Sequence, residues 1–124
     1  MLKKVSMLCL LALAPSILFA GPLDGTKWKL REKGVRFWAS DELIFINNQL
    51  MSESGRKEGF KAADYNTSKN DSWLTWNAVQ TNDKGEKMEW YGVSNGAQMD
   101  GSYTLIKLNG ESAVRQWQAE LSQP

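Results

Sequence analysis

Hydrophobic and polar residues alternate with a period of two along much of the chain after residue 20. The clearest run sets an apolar face against a basic one, with Thr26, Trp28 and Leu30 alternating with Lys27, Lys29 and Arg31. Successive side chains of a β-strand point to opposite sides, so this alternation predicts a strand with one buried face. Trp28 should then lie in a core and Lys29 in solvent.

Two stretches near the end of the chain alternate in the same way. Their apolar faces consist of Ala97, Met99, Tyr103 and Leu105 in the first stretch, and of Ala113, Trp117, Ala119 and Leu121 in the second. Arg115 falls on the same face as Trp117, so the pattern predicts an inward-pointing arginine with a structural role. The alternative is an Arg115 that points outward from a frayed last strand.

Three segments between these runs carry apolar residues on both faces. Residues 42–47 contain Leu-Ile-Phe-Ile, which predicts a strand that is buried on both sides or covered on one side by a lid. The other two segments divide their large residues between two faces, with Trp73 and Val79 against Leu74 and Trp76, and Met88 and Trp90 against Tyr91 and Val93. Residues 54–66 contain two glycines and predict a loop, with one short helical turn within 57–64.

Dipeptides that suit tight turns separate these segments. They are Asn70-Asp71, Asp24-Gly25, Asn95-Gly96, Asp100-Gly101 and Asn109-Gly110, with a longer turn at 82–85. About eight strands of ordinary length with short links predict an all-β fold, an antiparallel up-and-down meander. Such a meander closes most economically into a small barrel, here over residues 21–124.

The order of several motifs resembles that of small exported bacterial lipocalin-like β-barrel proteins, most of which have no assigned function. The motifs are Asp41-Glu42-Leu43-Ile44-Phe45, Gly59-Phe60, Tyr65, Trp90-Tyr91-Gly92-Val93, Asn95-Gly96, Met99 and Gly101-Ser102-Tyr103. The resemblance implies a barrel and brings no catalytic residues with it. It also implies that a late arginine, here Arg115, stacks on the early tryptophan Trp28 and closes one end. Residues 23–30 also resemble the opening of META-type domains of bacterial envelope proteins.

The first 20 residues have the composition of a secretory signal peptide. Lys3 and Lys4 precede an uncharged, largely apolar run that ends at Ala20. Basic residues, a short apolar run and a small residue at its end predict export, with cleavage between Ala20 and Gly21. We therefore expect a signal-peptide helix over 1–20 and a barrel domain over 21–124 that resides in the periplasm or outside the cell. The alternative is an uncleaved membrane anchor.

Cleavage would remove two lysines and the only cysteine, Cys9, and would change the formal net charge from +1 to −1. A nearly neutral domain has no electrostatic reason to bind nucleic acid or an anionic membrane. No second long apolar run follows the signal, so we expect no transmembrane anchor after cleavage. We expect the mature protein to be a monomer.

The chain contains no histidine, which together with the loss of Cys9 removes the usual general base, thiol nucleophile and soft metal ligands. The remaining candidates for paired-carboxylate chemistry are Asp64, Asp71, Glu89 and Asp100. Turn chemistry accounts for Asp71 and Asp100 without catalysis. We therefore expect no enzymatic activity, no metal and no cofactor.

Two interpretations of function remain, because an eight-stranded barrel has room for packed side chains or for one small ligand. In the first, the protein binds a small, largely apolar ligand in a pocket lined by Trp28, Trp73, Met88, Trp90, Met99 and Tyr103. In the second, a packed barrel acts through its surface as an interaction or inhibitor module for an envelope protein or a glycan. Exposed rings would stack on sugars, and Trp38 and Trp76 are the candidates because their strands are apolar on both sides.

Overall fold

The structure, a computed structural model, describes residues 21–34 and 40–123. The predicted signal peptide and Trp38 lie outside the described residues. The elements are β1 Thr26–Glu32, β2 Ser40–Ile46, β3 Gln49–Ser52, α1 Glu53–Lys57, β4 Ala63–Asn70, β5 Trp73–Thr81, β6 Lys87–Asn95, β7 Gln98–Ile106 and β8 Ser112–Gln123. Each strand pairs antiparallel with the next and β8 pairs with β1, so the predicted eight-stranded up-and-down barrel is confirmed.

The alternation read from the sequence corresponds to the inside and outside of the barrel. Trp28 and Leu30 of β1 are buried, whereas Lys29 is exposed. In the pairing register, Trp28 lies opposite Leu43 of β2 and opposite Leu121 of β8. The ambiguous segment 42–47 has one buried face, because Leu43 is fully buried and Ile46 is more than half exposed.

Most of the predicted turns connect strands as expected. Gly96 and Gly110 have positive φ angles of 71° and 88°, and Asp71 adopts the same left-handed region with φ 57°. The turn predicted at Asp100-Gly101 is wrong, because both residues lie within β7. The glycine there serves packing instead, since a Cβ on Gly101 would lie 2.5 Å from the ring of Trp117.

The short helix lies earlier in the chain than the 57–64 predicted from the sequence. It spans Glu53–Lys57, because Ser52 caps its start by accepting a hydrogen bond from the Gly55 amide at 3.0 Å. Gly59, with φ 86°, follows the helix and turns the chain, and the Phe60 amide donates back to the Gly55 carbonyl at 2.9 Å. This geometry packs the helix against the ends of β2 and β3.

The barrel has two different ends. At the end where β1 begins, Leu23 is buried in the core cluster, and its amide donates to the Tyr65 hydroxyl at 3.2 Å. That hydroxyl donates to Oδ1 of Asp24 at 2.7 Å, and Asp24 also accepts from the Asn48 amide at 2.8 Å. We call this the closed end. The opposite end, where β1 ends and β2 begins, we call the open end.

Aromatic rings fill the middle of the barrel. The ring of Phe45 lies edge-on to Trp76 at 5.1 Å, and Trp76 lies 6.4 Å from Trp90 and 6.1 Å from Trp117. Trp76 is 0% exposed, so the prediction that it lies at the surface is wrong. Leu74 and Ala78, two positions away on either side, share the inward face of β5 with Trp76. The apolar residues of the outward face, Trp73 and Val79, are exposed to solvent.

Candidate ligand pocket

A pocket of about 230 Å³ opens at the open end of the barrel, above the tryptophan core. Its apolar wall consists of Leu30, Met88, Trp90, Tyr103 and Leu105. Its polar rim consists of Glu32, Ser40, Asp41, Ser52, Ser54, Gly55 and Glu58. The pocket is therefore apolar inside the barrel and polar where α1 and the strand ends meet.

Trp90 and Tyr103 of this wall form the aromatic floor of the pocket, and buried hydrogen bonds hold Trp90 in place. Nε1 of Trp90 donates to Oε1 of Gln80 at 2.8 Å, and the Gln80 amide donates to the Lys61 carbonyl at 2.9 Å. Gln80 is fully buried, so these two hydrogen bonds lie in a low-dielectric interior where hydrogen bonds are strong. The Tyr103 ring packs against Trp90 with 4.9 Å between centroids. The floor is consequently preformed rather than assembled around a ligand.

Tyr103 links the apolar wall to the rim. Its hydroxyl donates to Oε2 of Glu32 at 2.5 Å across the open end. Burial, followed by this hydrogen bond, raises the pKa of Tyr103 well above its usual value, so the hydroxyl remains a donor to the carboxylate. Oε1 of Glu32 lies 3.9 Å from Nε of Arg115, which is beyond hydrogen-bonding distance.

Asp41 fastens α1 to the start of β2. One carboxylate oxygen accepts from the Glu42 amide at 2.7 Å and from the Ser54 amide at 2.8 Å. The other accepts from the Ser52 hydroxyl. Because Ser52 also caps α1, one carboxylate positions both the helix and the rim of the pocket.

Of the six residues predicted to line a pocket, the structure brings three together. Met88, Trp90 and Tyr103 line it. Trp28 and Met99 are buried below it in the core, where the sulfur of Met99 receives the Trp76 N–H at 3.1 Å.

Trp73 is the third residue that does not line the pocket. It lies on the outward face of β5 and is 47% exposed, so its placement in the pocket is wrong. The reason is its position in the strand: Leu74, Trp76 and Ala78 occupy the inward face, and Trp73 has the opposite parity.

The acidic residues of the rim were missed from the sequence, although the alternation contained the signal. Glu32 continues the inward face of β1 that Trp28 and Leu30 begin. Asp41 continues the inward face that Leu43 and Phe45 form in β2. Each apolar face therefore ends in a carboxylate at the open end.

Arg115 does not make the contact that the resemblance implied. Trp28 pairs with Leu121, which is six positions along β8 from Arg115, or about 20 Å at 3.3 Å per residue. That distance is too long for stacking, so the expected contact is wrong. Arg115 lies instead opposite Tyr103, is about half exposed, and its nearest carboxylate is Glu32. Trp117, the other residue given a structural role, is fully buried in the core.

The carboxylates considered for catalysis lie apart on the barrel. Asp64 accepts from the Gln49 side chain in β3, and Asp71 occupies a turn. Glu89 is exposed on β6, while Asp100 on β7 forms an ion pair with Lys33 at 3.2 Å. Within residues 21–34 and 40–123, no group of three or more His, Cys, Asp or Glu side chains could hold a metal ion. The same residues contain no helix long and apolar enough to cross a membrane.

The outward face of β5 and β6 carries two half-exposed aromatic rings. They belong to Trp73 and to Tyr91, which is 48% exposed. Tyr91 lies between Asn77 of β5 and Ser102 of β7 in the pairing register. Tyr91 is therefore bordered by an amide and a hydroxyl group, and Trp73 lies four positions from Asn77 along β5.

The fold and the pocket define a class: a closed, eight-stranded up-and-down β-barrel with an aromatic-floored pocket at one end. Comparison of the chain with protein-family models, with curated proteins and with solved structures found no match.

Proposed function

We propose that the protein is an exported, non-catalytic binding module that holds a small, largely apolar ligand in the open-end pocket. The observation that carries this proposal is the pocket of about 230 Å³ between Met88, Trp90 and Tyr103. Ligand sites are typically concave, mostly apolar and lined by a few polar groups, and this pocket has that composition.

The volume limits the size of the ligand. A cavity of roughly 150 Å³ lined by apolar side chains accommodates benzene. A pocket of about 230 Å³ is therefore suited to one ring with a short substituent, or to a short alkyl chain. The preformed floor favours binding, because little side-chain entropy remains to be lost there.

The test is a titration with 4-fluorotoluene, a neutral aromatic probe, followed by fluorine NMR. We expect saturable binding to the wild-type protein. Leu105→Trp should fill the pocket and abolish binding, because Leu105 lines it. Thr104→Trp is the matched control, because Thr104 is adjacent to Leu105 in β7 and faces outward. This variant should bind the probe as the wild type does. Absence of saturable binding, or equal binding by both variants, would refute the pocket as a ligand site.

A second candidate function is glycan binding on the outer face of β5 and β6. The exposed rings of Trp73 and Tyr91, bordered by Asn77 and Ser102, are the observation that favours it. Titration with a panel of soluble oligosaccharides tests this function. Trp73→Ala should weaken binding far more than Val79→Ala, which removes an equally exposed apolar side chain from the same outward face. Equal effects would exclude ring stacking on Trp73.

A further inference from the structure

The polar rim of the pocket carries negative charge. The acidic lining residues are Glu32, Asp41 and Glu58, and none of the described residues that line the pocket is Lys or Arg. Arg115 approaches Glu32 from outside the lining, but it is half exposed and 3.9 Å away. A ligand with its own negative charge would therefore meet repulsion at the mouth, and a cation would be attracted.

The hydroxyl groups of Tyr103, Ser52 and Ser54 already donate within the protein. The Tyr103 hydroxyl donates to Glu32, and the Ser52 hydroxyl donates to Asp41. The Ser54 hydroxyl donates to the Ser40 carbonyl at 3.3 Å. An ionised carboxylate accepts hydrogen bonds and cannot donate them. The rim therefore offers a ligand several acceptors and few donors.

Glu32 offers a hydrogen-bond acceptor at the rim of the pocket. Its side chain is only 15% exposed, and Oε2 is occupied by the short hydrogen bond from Tyr103. Oε1 lies 3.9 Å from Nε of Arg115, beyond hydrogen-bonding distance, so Arg115 does not donate to it. A charged N–H of a ligand at Oε1 would form a charge-assisted hydrogen bond, which is shorter and stronger than a neutral one.

We propose that the pocket selects a small organic cation, a protonated amine attached to a single ring or a short alkyl body. The amine would donate to Oε1 of Glu32, while the apolar body would lie against Trp90 and Leu105. The rings of Trp90 and Tyr103 add attraction for a cation near their faces. This inference rests on the proposed function of the same pocket and assigns it a ligand class.

The experiment compares three probes that share one ring and differ in charge: 4-fluorophenethylamine, 4-fluorophenethyl alcohol and 4-fluorophenylacetate. Each is titrated into the protein by fluorine NMR. We expect the amine to bind at least tenfold more tightly than the alcohol, and the acid to bind less tightly than the alcohol. An amine that binds no better than the alcohol would overturn the inference.

Matched variants identify the carboxylate. Glu32→Gln should weaken amine binding at least fivefold and alcohol binding by much less, so that the preference for the amine falls while the retained alcohol binding reports that the pocket is intact. Glu89→Gln removes the same charge from the exposed outer face of β6 and should change neither affinity. An equal loss in both variants would reduce the effect to general electrostatics and overturn the assignment. If Glu32→Gln fails to fold, Glu58→Gln at the exposed edge of the rim should still lower the preference for the amine over the alcohol.

Failure of this inference and failure of the proposed function are distinguishable. Binding of 4-fluorotoluene without any preference for the amine would leave the pocket as an apolar site and refute the cation selectivity. Failure of 4-fluorotoluene and of all three charged or polar probes to bind would refute both.

Discussion

Trp76 and Trp117 face each other across the inner wall of the barrel, with 6.1 Å between their ring centroids and two glycines between them in the sheet. Trp76 of β5 pairs with Gly92, Gly92 pairs with Gly101, and Gly101 pairs with Trp117 of β8. A Cβ on Gly92 would lie 2.3 Å from Nε1 of Trp76. The two indoles therefore lie over bare backbone, and the core depends on the absence of side chains in that row.

The first prediction concerns this row. Gly101→Ala should destabilise the protein by about 1–3 kcal/mol or more, the usual cost of overpacking. The added Cβ would lie 2.1 Å from the Tyr91 carbonyl oxygen and 2.5 Å from the Trp117 ring, neither of which can easily move. Ser102→Ala, next to it in β7, should change stability by no more than about 0.5 kcal/mol. Urea midpoints measured by tryptophan fluorescence decide, and similar midpoints would contradict the packing described.

The fold was predictable because one-sided alternation fixes which face of each strand is buried. The exceptions arose where large apolar residues occupy both faces. In β5, Trp73 and Trp76 look equivalent in sequence, and only closure of the barrel places one outside and the other in the core. The sequence of Asp100-Gly101 predicts a turn, because a glycine that makes room for a neighbouring ring cannot be distinguished in sequence from a glycine that a turn requires.

The pocket was only partly predictable for a related reason. Met88, Trp90 and Tyr103 follow from the inward parity of their strands. The alternation of inward and outward positions does not show how deep a residue lies along the barrel axis. It therefore cannot distinguish Met99, which lies in the core, from Tyr103, which lines the pocket. Depth depends on strand register, which is set by pairing across the whole sheet.

The second prediction tests which face of β1 points into the barrel. Trp28→Ala should cost about 3–5 kcal/mol, because Trp28 is buried and its removal leaves a cavity. Lys29→Ala, at the adjacent exposed position, should change stability by no more than about 0.5 kcal/mol. Denaturant midpoints of both variants are measured under the same conditions. A large loss of stability in Lys29→Ala, or a small one in Trp28→Ala, would contradict the burial of Trp28 and the exposure of Lys29 described for β1.

The third prediction separates the pocket from the core beneath it. Met88→Ala should weaken binding of 4-fluorotoluene by on the order of 1 kcal/mol, or several-fold in Kd, because contact area is lost. Met99→Ala should lower stability by about 2–5 kcal/mol, since Met99 is buried in the core. Its binding affinity should change little in conditions where the variant remains folded. A larger loss of affinity in Met99→Ala would place the ligand deeper than the pocket described.

The fourth prediction concerns export. Lys3, Lys4 and the apolar run ending at Ala20 predict a mature protein that begins at Gly21 and has no thiol. Intact mass of the protein recovered from the periplasm or the medium, together with a thiol assay, measures both properties. A mass that includes Cys9, with or without an attached lipid, would contradict the prediction.

The last prediction is a loss of stability at alkaline pH that arises from Tyr65 at the closed end. Burial raises the pKa of Tyr65 well above its usual value of about 10, and the hydrogen bond to Asp24 and the charge of that carboxylate raise it further. In the unfolded chain the hydroxyl loses its proton near pH 10, whereas in the folded protein it keeps the proton. The stabilisation is therefore complete below pH 10 and decreases as the pH rises above that value.

Each buried tyrosine of this kind contributes a slope of up to about 1.4 kcal/mol per pH unit above pH 10. Tyr65→Phe should remove that part of the slope, while lowering stability at pH 7 by about 1–2 kcal/mol through the loss of the hydrogen bonds to Asp24 and Leu23. Tyr91→Phe, which removes a hydroxyl from a half-exposed position on the outer face, is the matched control. Urea unfolding between pH 8 and pH 11.5 measures the free energy of unfolding of all three proteins. If Tyr65→Phe and the wild type lose stability in parallel above pH 10, the Tyr65 proton is not held by the closed end.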